Sequence, residues 1–159
     1  MIDRRTWLAG GSAAVVAMLL TFGRSAGASA KDFPVTRTPA QWRAQLGPQR
    51  YRILREAGTE RAYTSPLDKE HRRGRYVCAG CANPLFTSAT KYDSGTGWPS
   101  FYRALPRAVT TRGPRSAFLG TEILCARCGG HLGHVFNDGP RPTGLRYCIN
   151  GLALRFQPA

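Results

Sequence analysis

The chain has 159 residues, 42% of them hydrophobic, and a formal net charge of +14 at pH 7. That length suits one domain. The charge would fit an acidic partner or nucleic acid, yet the arginines are scattered from Arg37 to Arg155 without a long basic run. Aromatic residues do not alternate with them, as a base-stacking platform requires, so no nucleic-acid partner is expected.

Residues 1–30 have the form of an address rather than of a fold. Paired arginines, Arg4 and Arg5, precede an uncharged stretch from Trp7 to Phe22, and a small-residue Ala-Ser-Ala sequence ends at Ala30. A basic start, an apolar middle and an A-x-A end make an export signal, and the paired arginines resemble a twin-arginine signal. The apolar stretch is short against the ~20 residues of a membrane span; an uncleaved N-terminal anchor is the alternative. The expectation is an exported, periplasmic protein whose domain covers 31–159, with no stable membrane insertion once the signal is removed.

Within that domain, residues 31–37 form a leader. Thr38-Pro39 sets a capping residue before a proline at the first helical position, predicting a helix that runs to about Leu46 and stops at Gly47. Pro48 opens a second helix, with Tyr51, Ile53, Leu54 and Ala57 near helical spacing and Gly58 as its stop. Beyond Gly58 the segments are short, rich in Val, Tyr, Phe and Thr, and divided by Gly, Pro, Asn and Asp. Predicted strands are 75–77, 84–86, 116–125, 134–136, 146–150 and 152–156. Short helices followed by many short strands predict a mostly β, α+β domain.

The segments Tyr76–Phe86 and Ile123–Gly133 share an apolar-x-Cys-x-x-Cys frame. Two such knuckles bring four thiolates, Cys78, Cys81, Cys125 and Cys128, toward one tetrahedral site of the kind Zn²⁺ takes. With no open position the site is structural, and it adds folding energy where the core is small. Two disulfides are the alternative in an oxidising compartment. His131 and His134 could replace a cysteine as ligands, but four like thiolates make the simpler set.

Cys148 is then the fifth and odd cysteine. Arg146 lies two residues before it, so on a strand both side chains share a face, and a guanidinium beside a thiol favours the thiolate. His131, His134 and Asp138 lie just upstream and Asn150 just beyond. Such a set suits thiol catalysis, whether acyl transfer or redox chemistry on sulfur.

Several longer motifs choose between these. KYDSGTGWPSF, the two CxxC knuckles, GGHLGHVFNDGP, RYCIN and the lead-in TERAYTSPLDKEHRRGRYVCAGC resemble the methionine-R-sulfoxide reductase B family over roughly Thr38 to Phe156. The resemblance implies two antiparallel sheets, with a zinc clamp on the side away from the active site. It implies that Cys148 attacks the sulfoxide sulfur of oxidised proteins or peptides and becomes a sulfenic acid. His131 or His134 would protonate the leaving oxygen, Asp138 would orient a histidine or Arg146, and Asn150 would help hold a water near that oxygen. Trp98, with Phe136 as a second wall, would receive the methyl carried on the polarised sulfur. Many family members carry a second, resolving cysteine where this chain has Thr96. Regeneration therefore requires an external thiol reductant, thioredoxin-like or small. A monomer is expected.

Overall fold

A computed structural model describes residues 33–113 and 120–159. The expected export signal lies outside them, as does Ser116–Leu119, the first part of one predicted strand. No helix among the described residues is long and apolar enough to cross a membrane.

The described chain opens with α1, Pro39–Glu56. Thr38 caps it by a reciprocal pair: its hydroxyl accepts from Gln41 N at 3.2 Å, and Gln41 Oε1 accepts from Thr38 N at 2.9 Å. These bonds satisfy two of the free N–H groups at the helix start. The two predicted helices are one element interrupted at Gly47, whose φ of 67° and ψ of 172° are not helical. The end differs from expectation: Ala57, not Gly58, adopts the left-handed conformation that stops the helix. Trp42, Leu46, Ile53 and Leu54 form its buried face.

Nine strands follow among the described residues: β1 (Gly74–Cys78), β2 (Pro84–Thr87), β3 (Lys91–Tyr92), β4 (Ser100–Phe101), β5 (Val109–Arg112), β6 (Thr121–Cys125), β7 (His131–Phe136), β8 (Arg146–Ile149) and β9 (Leu154–Pro158). They form two antiparallel sheets, one of three strands in the order β2-β1-β9 and one of six in the order β3-β4-β8-β7-β6-β5. The mostly β architecture with two antiparallel sheets is thus as expected.

Aromatic side chains join the sheets. Phe86 of β2 stacks on Phe101 of β4 with ring centroids 4.3 Å apart, and Tyr76 of β1 meets Phe101 edge-on at 4.9 Å. Leu85, Ile123, Leu132, Ile149 and Leu154 complete a fully buried core, with large apolar surfaces supplying the main driving force. Both methionines of the chain, Met1 and Met18, fall within the first 30 residues, so the core formed by the described residues contains none.

Candidate active site

One row of paired residues crosses all six strands of the larger sheet: Tyr92, Ser100, Cys148, His134, Glu122 and Arg112. Directly opposed residues of antiparallel strands share a face, with Cβ atoms about 4.5–5.5 Å apart. Pairing therefore sets Cys148 between Ser100 and His134. Beside it, Gly133 has a φ of +150°, and a Cβ there would stand 2.1 Å from the carbonyl oxygen of Cys148. Only glycine permits β7 to approach so closely.

Around Cys148 lies a cavity of about 160 Å³, lined by Thr59, Trp98, Gly133, His134, Phe136, Cys148 and Asn150. Two larger clefts, about 670 and 750 Å³, are lined by no cysteine or histidine, so size does not mark the chemistry. Trp98 is aimed by its Nε1, which donates to the carbonyl of Glu60 at 3.2 Å. Its loop is pinned from outside by Tyr63, whose hydroxyl donates to Gly95 O at 2.5 Å and whose N–H donates to Gly97 O at 2.7 Å. Gly97 has a φ of +84°, and a Cβ there would come within 2.7 Å of Tyr63 N, so both conformation and space call for glycine.

The remaining predicted residues divide into those at the cavity and those behind it. His134 is half-buried at the cavity wall; burial, and then the neighbouring His131, hold its pKa below 6.5. His131 is buried behind it, with ring centroids 5.5 Å apart. Its Nδ1 lies 2.8 Å from Glu122 Oε1, and its buried Nε2 has no partner among the described residues. Arg112 grips the same carboxylate with two hydrogen bonds, at 2.6 and 2.8 Å. Burial raises the Glu122 pKa, but Arg112 and His131 outweigh it and leave the carboxyl below its ordinary value.

Asp138 orients Arg146 rather than a histidine, accepting from Nε at 2.9 Å and from Nη2 at 2.8 Å. Arg146 in turn lies 4.2 Å over the ring of Phe136. Asn150 is tied on both sides: Oδ1 accepts from Glu60 N at 3.0 Å, and Nδ2 donates to Leu132 O at 3.1 Å. Held by these bonds, it borders the cavity. The expectation of a depressed thiol also changes. Burial pushes Cys148 above the ordinary cysteine value, against the opposing effects of Thr96, 3.8 Å away, and Arg146. Asp138 shares the arginine charge, which limits what Arg146 contributes.

Thr59, Glu60, Arg112 and Glu122 were not anticipated. Glu122 and Arg112 reach the site only through strand pairing, which one chain's pattern does not reveal. Glu60 follows a helix end without any local motif, and Thr59 carries no signal at all.

A second cluster joins the two sheets. The sulfurs of Cys78, Cys81, Cys125 and Cys128 all lie within 4.8 Å of one another. Two close pairs run between knuckles, Cys81 to Cys125 at 3.5 Å and Cys78 to Cys128 at 3.7 Å. Metal–sulfur bonds of ~2.3 Å in a tetrahedron set sulfurs at nearly this spacing, whereas a disulfide needs ~2.05 Å. All five cysteines are free. Gly80 N and Asn83 Nδ2 point at Cys78 Sγ and Cys125 Sγ, at 3.4 and 3.6 Å, as outer donors to thiolate ligands do. The four residues fit a tetrahedral metal ion, which would hold the strand end of β1 to that of β6.

A cysteine seated beside a histidine in a cavity walled by Trp98 and Phe136, on a β-fold with a separate sulfur clamp, defines a class: thiol-dependent enzymes with a structural metal site. The SelR domain profile matches residues 46–158, and this protein belongs to that family. Among its relatives are the peptide methionine sulfoxide reductases MsrB of Thiobacillus denitrificans (strain ATCC 25259 / T1), 58% identical over 128 residues, and of Leptospira interrogans serogroup Icterohaemorrhagiae serovar Lai (strain 56601), 54% identical over 128 residues. The alignments cover 77% of this chain and 94% of the first relative, and 79% and 98% for the second. The relative of the same name from Agrobacterium fabrum (strain C58 / ATCC 33970) is 55% identical over 126 residues, covering 78% and 93%.

Proposed function

We propose that this protein reduces methionine-R-sulfoxide in peptides and proteins to methionine, with Cys148 as the nucleophile. The observation that carries this reading is the composition of the small cavity, where Cys148, His134, Trp98 and Phe136 converge. Trp98 and Phe136 receive the methyl on the polarised sulfur. Neutral His134 takes the proton of the Cys148 thiol as the sulfur attacks, and passes it to the sulfoxide oxygen. Attack of Cys148 on the sulfoxide sulfur forms an S–S bond; that bond and the substrate S–O bond then break as the hydroxyl passes to the Cys148 sulfur. Substrate sulfur is reduced by two electrons, Cys148 is oxidised by two, and the thiol proton ends on the sulfenic acid. No other proton is needed.

An external thiol, thioredoxin-like or small, then displaces water from the sulfenic acid. A second thiol releases Cys148 and departs as the disulfide. Thr96 beside Cys148 supports the need for an outside reductant, because a hydroxyl occupies the place of a resolving thiol. Zn²⁺ suits the four-sulfur clamp, since it binds thiolates tetrahedrally without redox chemistry. Residues 1–30 support export to the periplasm, and the protein would act there as a monomer.

The test is incubation with each epimer of a methionine sulfoxide peptide and dithiothreitol. The R epimer should be consumed, and Cys148→Ser should abolish turnover while the fold persists. Reduction of neither epimer, or full activity in Cys148→Ser, would reject the reading.

A further inference from the structure

The Thr96 hydroxyl lies against the sulfur of Cys148 and begins a chain. Thr96 Oγ1 lies 3.8 Å from Cys148 Sγ and 2.8 Å from Ser94 Oγ; Ser94 Oγ lies 2.7 Å from Ser100 Oγ; and Ser100 Oγ donates to the carbonyl of Trp98 at 3.0 Å. The carbonyl can only accept, so it fixes the direction at that end. In the thiol state the four links are filled by four protons: sulfur donates to Thr96, Thr96 to Ser94, Ser94 to Ser100 and Ser100 to Trp98. A thiolate has no proton to give, so three protons must serve the same four links. Rotating the Thr96 hydroxyl alone restores the bond to sulfur, now to a charged acceptor, and leaves Thr96–Ser94 as the empty link. A hydrogen bond to an ionised acceptor is roughly twice as strong as a neutral one.

We propose that Thr96 is a positioning residue with two settings, donating to Ser94 when Cys148 is a thiol and to the sulfur when Cys148 is a thiolate. Ser94 is its competitor for that one proton. The proposal rests on Cys148 being the reactive thiol, as argued above. Arg146, on the same strand, also favours the thiolate by its charge and a hydrogen bond, while its Nε and Nη2 are forked onto Asp138. His134 flanks Cys148 from β7. Tyr92 belongs to the same row from β3, but its buried hydroxyl has no hydrogen-bond partner among the described residues. The glycines on either side, Gly95 and Gly97, have φ of +70° and +84°, and Tyr63 pins both carbonyls, so the loop presents Thr96 at a set position.

Two substitutions should move the sulfur in opposite directions. The pH dependence of iodoacetamide alkylation of Cys148 in the full chain, without substrate, is the readout. Thr96→Val keeps the shape and removes the hydroxyl; its alkylation at neutral pH should fall several-fold and its midpoint should move up. Thr96→Ser should keep the wild-type profile. Ser94→Ala removes the competitor, so Thr96 can serve the thiolate without leaving a link empty, and the midpoint should move down. An unchanged profile in Thr96→Val, a Thr96→Ser profile matching that of Thr96→Val, or an upward shift in Ser94→Ala would overturn the proposal. Alkylation is measured independently of sulfoxide reduction, so failure here leaves the epimer assay standing, and failure of that assay leaves these shifts readable.

Discussion

Glu122 shows how a single side chain can serve the site without touching it. It joins Arg112 to His131, and His131 stands behind His134 at the cavity. With its folded pKa held below the ordinary 4.5, the sign of its contribution follows. Stability from the ionised carboxylate is present above about pH 4.5 and is lost as pH falls through the lower folded value. Glu122→Gln should therefore unfold at lower urea than the wild type at pH 6, and the gap should narrow toward pH 3. Urea midpoints at the two pH values check this; a gap that widens in acid would show that the carboxylate is not held as an ion. The same variant should lower kcat/KM, because His131 loses its anionic partner. His134 works in the same direction as pH drops, since its folded pKa lies below 6.5 and protonation below that value favours the unfolded chain.

Among the elements, the segment after α1 does more than connect. Glu60 accepts through its carboxylate from the N–H groups of Gly151 and Leu152, receives Trp98 Nε1 on its carbonyl, and donates its own N–H to Asn150. A single residue thus locks the turn between β8 and β9 to the indole wall of the cavity. Burial holds the Glu60 carboxyl above its ordinary pKa despite these bonds, so the loss comes from geometry: Glu60→Gln leaves the shape but sets an NH2 against a backbone N–H, and a buried group left unsatisfied costs about 1–3 kcal/mol. The variant should lose about 2 kcal/mol in urea unfolding, and its KM for a sulfoxide peptide should rise more than its kcat falls. An unchanged KM would mean that Trp98 is held by other contacts. This bracket also marks the limit of what the sequence makes legible. The capped start of α1, the break at Gly47, the two knuckles and most strands were readable because local chemistry determines each. β3 and β4 span two residues each, too few to show alternation, although together they carry Ser100 to Cys148. Residues such as Glu60 and Glu122 act across 91 and 12 positions of chain, on Gly151 and His134. Long-range pairing of this kind leaves no trace in a local pattern. Cys148, Trp98 and His134 were found because motif and pocket coincide.

At the level of the whole molecule, the four-sulfur clamp ties the three-stranded sheet, through β1, to the six-stranded sheet, through β6. The row that carries Cys148 lies in the second sheet, with Glu122 and Cys125 on the same strand. Metal removal should therefore loosen the contact between sheets before it alters the chemistry. Cys128→Ser should lower the thermal midpoint strongly, because structural metal binding is folding free energy, while the folded fraction should keep its alkylation profile at Cys148. Loss of that profile at temperatures where circular dichroism is native would show that the clamp reaches into the site. The missing methionines of the core have another consequence. A protein that mends oxidised thioethers works where oxidants are present, and a core rich in methionine would be damaged by the same agents, since sulfoxide formation makes an apolar side chain polar. Leucine, isoleucine and aromatic residues fill this interior instead. Among the described residues four of the five sulfurs sit in the clamp, so peroxide meets one sulfur outside it, that of Cys148, and this part of the chain holds no thioether that would itself need repair.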